Sequence, residues 1–220
     1  MKNGLLKNVV LGMLLTGALS VGVARADVTV TVNPADTYLG FMNVFDLGLN
    51  YQFSSGWGTA DLVAVFTGSN LRLSPNTIGD PDPYWYIGGG GPGAPGNKIM
   101  EANMYVEPAG SLPGQTVTFV GTVISNTLTP AHVARVLIRD FAPDFSSVVE
   151  QSAVLPTSGD FSISLATIND PARHVQYGFQ MKGVNVWVTD TAPFGAVVVG
   201  PLSVTPTQAT TWGRVKSLYR

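Results

Sequence analysis

The chain has 220 residues with no cysteine, 12% charged residues and a formal net charge of −2, which excludes a disulfide framework, thiolate metal sites and cysteine nucleophiles. Its 25 Gly and 15 Pro suit short strands joined by tight turns and do not suit a helical protein.

At the N-terminus, Lys2 and Lys7 precede a mostly apolar run from Val9 to Val23 that closes on Ala24-Arg25-Ala26. That is the pattern of a secretory signal peptide over residues 1–26, with cleavage expected before Asp27. A run of about 15 residues is short for a membrane span, so the expected address is extracellular, at the cell surface or periplasmic. Losing Lys2, Lys7 and Arg25 leaves 9 basic residues against 14 acidic ones, a net charge of −5. Setting aside Arg214, Lys216 and Arg220 near the C-terminus leaves a body of −8. Such a body has no electrostatic footprint for a phosphate backbone, so nucleic acid is excluded as the expected partner.

From Asp27 to about Thr205 apolar and polar residues alternate in runs rich in Val, Ile, Thr, Phe and Tyr, the signature of half-buried strands. The predicted strands are Val28–Val32, Tyr38–Phe45, Leu62–Phe66, Asn70–Ser74, Ile99–Glu107, Thr116–Ser125, Val133–Asp140, Ser147–Leu155, Asp160–Thr167, Val175–Lys182 and Val197–Val204. Leu112-Pro113-Gly114-Gln115 and Pro156-Thr157-Ser158-Gly159 are predicted turns. About ten antiparallel strands without intervening helices predict an all-β sandwich or jelly roll over residues 27–206. Phe161, Ile163 and Leu165, with Val175, Tyr177, Phe179 and Met181, should face the core. Ser162 and Ser164, with His174, Gln176, Gln180 and Lys182, should face outward or line a groove.

The connection from Asn76 to Asn97 breaks this rhythm. It holds Asp80-Pro81-Asp82-Pro83, then Tyr84-Trp85-Tyr86, then a Gly/Pro-rich stretch, and loops of this length are uncommon unless functional or disordered. The tail, residues 207–220, carries Trp212, Val215, Leu218 and Tyr219 at helical spacing, with basic residues at its end. A packed terminal helix, a frayed end and a peptide that docks to a protein partner are the three readings of it.

Gly114 to Val123, the strand ending in Arg139-Asp140, Gly159 to Ile163, and Val197 to Val204 together resemble the strand order of jelly-roll carbohydrate-binding modules found beside secreted bacterial glycosidases. The resemblance spans roughly residues 100 to 205. Where such modules often carry an Asp pair in the final strand, Gly200 and Pro201 stand here. Asn76 to Pro81 and Ile168 to Gly178 also resemble blocks of uncharacterised secreted bacterial proteins, and that likeness implies no function.

Sugar rings present apolar C–H faces and a rim of hydroxyls, so their sites combine exposed aromatic rings with amides, carboxylates or Arg. On the strand from Ile99 to Glu107, the side opposite Met100, Ala102, Met104 and Val106 carries Glu101, Asn103 and Tyr105. Placed in one sheet with Arg139, Gln176 and Gln180, these residues would form a polar groove rimmed by Tyr84, Trp85 and Tyr86. The alternative is an ordinary wet sheet face. Trp57 and Trp187, with apolar or Gly-rich neighbours, are expected in the core, and Trp85 is expected to be exposed.

Asp80 and Asp82 are candidate ligands for a structural Ca²⁺, the alternative being Asp caps on a Pro-stiffened turn; no other cofactor is expected. His132 and His174 are the only histidines, and neither a Gly-x-Ser-x-Gly elbow nor a His-Glu-x-x-His pair occurs. A glycosidase or lyase would have to draw a carboxylate pair from Glu101, Glu107, Asp140, Asp144 and Asp170. Salt bridges and turn caps are the expected roles of Arg139, Asp140, Asp144, Asp170, Arg173 and His174. The leading expectation is thus a non-catalytic, secreted sandwich that binds a polysaccharide or glycan. Its rival is a structural or adhesive protein that docks through the tail.

Overall fold

The computed structural model describes residues 27–202. The expected signal peptide and the tail lie outside the described residues. Twelve strands follow in order: β1 Asp27–Thr31, β2 Tyr38–Asp46, β3 Tyr51–Gly56, β4 Ala64–Thr67, β5 Asn70–Leu73, β6 Lys98–Val106, β7 Thr116–Asn126, β8 His132–Phe141, β9 Val148–Val154, β10 Gly159–Ala166, β11 His174–Val184 and β12 Val197–Gly200, with one short 3-10 turn at Ala192–Phe194.

They form two sheets. The strands β5 to β12 take the orders β5-β12-β7-β10 in the first and β6-β11-β8-β9 in the second, which is the interleaving of an eight-stranded jelly roll. The other four strands extend it: β4 pairs β5, β2 pairs β6 and β3 pairs β2. β1 lies along Thr116–Val120 of β7, while β12 pairs with the rest of that strand from Thr122 to Asn126. The β1·β7 pair is parallel, a departure from the all-antiparallel expectation that no local sequence pattern signals.

The core sits between the sheets where the alternation places it. Val175, Tyr177, Phe179 and Met181 of β11, with Met100, Ala102, Met104 and Val106 of β6, face Phe161 and Ile163 of β10 and Val117, Phe119 and Val123 of β7, and all are buried. Leu165 is partly buried against the same cluster. Phe119 sits at its centre, with ring centroids 5.2 to 5.5 Å from Tyr177, Phe179 and Phe161. Each such pair contributes about 0.5–1.5 kcal/mol beyond burial.

Two elements differ from expectation. The edge strand β3 was not predicted, because Ser54, Ser55 and Gly56 dilute its alternation and its Phe53 stands alone as an inward apolar residue. Residues Leu62 and Val63, expected in a strand, instead close a tight turn: the Leu62 amide donates to the Gly58 carbonyl at 3.2 Å, and Val63 takes φ 55. The predicted turn at Leu112–Gln115 does form, with Gly114 at φ 78 and Asn169 so close that a Cβ would meet its side-chain oxygen at 2.6 Å.

Candidate functional site

The outward face of the second sheet carries the candidate site. Register aligns Glu101 with Lys182 and Asn43, Asn103 with Gln180 and Phe41, and Gln176 with Arg139; Arg139 is in turn opposite Glu150 on β9. Every second residue of each strand points the same way, so five strands deliver these polar groups to one surface.

That surface is not an ordinary wet face. Asn103, Gln176 and Gln180 are only 2%, 6% and 7% exposed, and buried amides must be hydrogen-bonded. Asn103 is the hub. Its Oδ1 accepts from Arg139 Nη1 at 2.8 Å and from Gln180 Nε2 at 3.1 Å, while its Nδ2 donates to the carbonyls of Glu101 at 2.9 Å and Phe41 at 3.3 Å. Arg139 Nε donates to Glu150 Oε2 at 2.6 Å. Glu107 accepts from Gln176 Nε2 and lies 2.7 Å from His174 Nδ1. Glu101 receives Asn43 Nδ2 at 3.0 Å and Lys182 Nζ at 3.1 Å.

Above this network opens a cleft of about 540 Å³, within the size range of small-molecule sites. Its aromatic walls are Phe41, Tyr105, Phe141 and Phe145, and its polar lining includes Asn103, Arg139, Gln176, Glu107 and Glu150. Phe145 takes φ 58, a rare conformation for a bulky residue, and its ring stacks on His174 at 4.3 Å. Gly178, between Tyr105 and Leu137 in register, lets β6 and β11 meet closely; a Cβ there would stand 2.1 Å from the Met104 carbonyl oxygen.

Burial pushes the Tyr105 phenol above its ordinary range, Glu107 adds to the rise and Arg139 opposes it. The hydroxyl therefore stays protonated and able to donate. For Glu150, burial raises the carboxyl, but the hydrogen bond and charge of Arg139, helped by Ser152 and Arg135, outweigh it and hold the group below its ordinary range. The chemistry on offer is apolar ring faces beside charged and amide groups that already form pairs and retain further hydrogen-bonding capacity.

Of the predicted residues, Glu101, Asn103, Tyr105, Arg139, Gln176 and Gln180 come together on this face. Tyr84, Trp85 and Tyr86 do not join them. Tyr84 lies beneath Lys98 Nζ at 4.1 Å, at the first residue of β6, and none of the three lines the cleft. Tyr86 is fully buried, its hydroxyl donating to the Ile78 carbonyl at 2.5 Å and lying 3.0 Å from that of Val186. Trp85, expected to be exposed, is half-buried and edge-on to Phe53 at 6.1 Å. Trp57 and Trp187 are likewise partly buried against the core.

Asp80 Oδ1 accepts from the Asp82 amide at 3.0 Å, and Asp82 Oδ1 from the Tyr84 amide at 2.7 Å, so both act as turn caps. Among the described residues no three His, Cys, Asp or Glu side chains come together as a metal set. The other carboxylates are also committed. Asp140, fully buried, takes Arg173 Nε at 2.6 Å and the Ile168 amide at 2.7 Å. Asp144 caps Ser146, and Asp170 caps Ala172. Of the five candidate catalytic carboxylates, only Glu107 lines the cleft.

The sequence reading missed Phe41, Asn43, Phe141, Phe145, Val148 and Glu150 in the lining. Outward alternation on β2 held the signal for Phe41 and Asn43. For Glu150 it lay in the hairpin that places β9 beside β8.

Fold and cleft together define an all-β jelly-roll sandwich with one sheet face built as a pocket. No protein-family model and no curated protein matches the chain. Among solved structures it is similar to the CBM22-2 xylan-binding domain of Paenibacillus barcinonensis Xyn10C, with TM-score 0.30 and 11% identity over 63% of this chain and 86% of that one. It is also similar to a carbohydrate-binding module of the β-sandwich superfamily, with TM-score 0.34 and 13% identity over 76% and 74% of the two chains. The CBM22-1–CBM22-2 tandem of the same Xyn10C gives TM-score 0.27 and 10% identity over 78% and 75%. These are distant likenesses, and the site is read from its own geometry.

Proposed function

We propose that the chain is an exported, non-catalytic carbohydrate-binding protein whose glycan lies in the cleft on the outward face of β2, β6, β11, β8 and β9. The observation that carries this reading is the pairing of an aromatic wall with buried, hydrogen-bonded amides and the partly exposed charged groups bonded to them. A wet sheet face has no reason to bury Asn103, Gln176 and Gln180, because burial of polar groups costs free energy unless they are held in a fixed network. A fixed network is what a sugar's hydroxyl rim needs, since preorganised groups lose little entropy on binding. Tyr105 and Phe41 supply faces for sugar C–H bonds, and Arg139, Gln176 and Glu107 supply donors and acceptors.

The test is a glycan array followed by calorimetry on each hit, with and without Ca²⁺. Tyr105→Ala should abolish the binding that belongs to this cleft while the circular dichroism spectrum is kept, and Gln176→Ala should weaken it. A blank array with an intact fold, or a set of hits none of which loses affinity in Tyr105→Ala, overturns the reading.

A further inference from the structure

A second cleft, of about 630 Å³, lies at the flank where the chain passes from β3 in one sheet to β4 in the other. Two tryptophans line it, Trp57 and Trp85, together with Asp61, Asp80, Thr77 and Gly79. Both indoles are half-buried and held in place. Trp57 Nε1 donates to Ser55 Oγ at 2.8 Å, and its amide donates to the Gly40 carbonyl at 3.0 Å. Gly40 is required for that approach, since a Cβ there would lie 2.2 Å from the Trp57 carbonyl oxygen. Trp85 is fixed edge-on between Phe53 at 6.1 Å and Tyr84 at 4.9 Å, and its carbonyl accepts from Asn185 Nδ2 at 2.9 Å and from the Asn97 amide at 2.8 Å.

The carboxylates also stand on braced loops. The Asp61 carbonyl accepts from the buried Asn76 Nδ2 at 2.8 Å, and Asp80 closes the turn onto the Asp82 amide. Among the described residues no Lys, Arg or His lines this cleft, so an anionic ligand would meet the two negative charges of Asp61 and Asp80. What the lining offers is two rigid aromatic surfaces, acceptors for hydroxyl hydrogens, and the Thr77 hydroxyl. We propose that this flank cleft is a second binding site, for a neutral glycan, with Trp57 and Trp85 as stacking platforms and Asp61 and Asp80 as hydroxyl acceptors. An organic cation is the competing ligand chemistry, because indoles and carboxylates attract ammonium groups too. A cleft of this volume exceeds one ammonium head and suits a sugar unit or two. The site shares no lining residue with the sheet-face cleft and does not rest on the reading of that cleft.

The experiment is a titration of the full-length chain, as processed by its expression host, with tryptophan indoles labelled by ¹⁵N and assigned through Trp57→Phe and Trp85→Phe. Cellohexaose, xylohexaose, mannohexaose and tetramethylammonium are the probes. At least one hexaose should shift the Trp57 and Trp85 indole signals and leave Trp187 in place, and the same shifts should persist in Tyr105→Ala. Asp61→Asn combined with Asp80→Asn, in which the amide oxygen still caps the turn, should weaken the effect about tenfold through loss of charge-assisted bonds. Silence of both indoles with all three hexaoses overturns the proposal, and so does a response to tetramethylammonium alone. Loss of the response in Tyr105→Ala overturns it as well, because the two clefts would then not be separate sites.

Discussion

The outward faces of the two sheets obey the same alternation and reach opposite ends. On the first sheet, Thr118 and Ser164 pair across β7 and β10 at 2.8 Å, and Thr122 donates to Asp160 at 2.6 Å, with Ser162, Ser164 and Asp160 all exposed. On the second sheet three of the outward polar residues, the amides Asn103, Gln176 and Gln180, are nearly as buried as the core. A polar residue in an outward position is thus no guide to solvation. Length of side chain, and what the next strand and hairpin place above it, decide whether the face is wetted or roofed.

The sharpest way to break this comparison is to remove the hub. Asn103→Ala deprives Arg139 Nη1 and Gln180 Nε2 of their shared acceptor and removes a side-chain donor from the carbonyls of Glu101 and Phe41. Buried groups stranded in this way cost about 1–3 kcal/mol each before relaxation. The expected loss is about 2–3 kcal/mol, read as a lower urea midpoint at unchanged slope. A loss under about 0.5 kcal/mol, the ordinary range for surface substitutions, would mean the layer is solvated after all.

How far the sequence carries this contrast can be traced residue by residue. Met100, Ala102, Met104 and Val106 against Glu101, Asn103 and Tyr105 is a period-two pattern, and it placed both faces of β6 correctly. The same pattern set Val175 to Met181 inward. What it does not encode is the neighbour. Whether Arg139 stands beside Gln176, and Glu150 beside Arg139, depends on a strand order fixed by the whole chain. Tyr84-Trp85-Tyr86 misled for a related reason. Surrounding Pro and Gly report a loop, yet Tyr86 is drawn inside because its hydroxyl meets the carbonyls of Ile78 and Val186, the latter 100 residues away in sequence.

A smaller effect should follow pH. The Glu150 carboxyl is held below its ordinary range in the folded protein, so the folded state binds its proton less readily than the unfolded state. Its contribution is fully present above the unfolded value of about 4.3 and is lost as pH falls through the lower folded value. Its side chain is 35% exposed, so solvent screening limits the gain to under about 1 kcal/mol. Thermal melts from pH 6 to pH 3 should show Glu150→Gln losing less stability across the acid range than the unmodified chain. Parallel curves would separate the Arg139–Glu150 pair from the energetics of this face.

The smallest effect belongs to the first sheet. Ser164→Ala removes one partner of the Thr118 hydroxyl in a hydrogen bond that water can replace on both sides, because Ser164 is exposed. No buried donor or acceptor is stranded, and alanine keeps the backbone ladder between Thr118 and Ser164. The change should therefore stay within about 0.5 kcal/mol in urea, and glycan affinity at either cleft should not move. Its value lies in the pairing with Asn103→Ala, since both substitutions truncate an outward polar side chain to the same methyl group. If Ser164→Ala proved as costly as Asn103→Ala, the difference between the faces would not lie in burial, and the argument that the second sheet is built around a ligand would lose its physical basis.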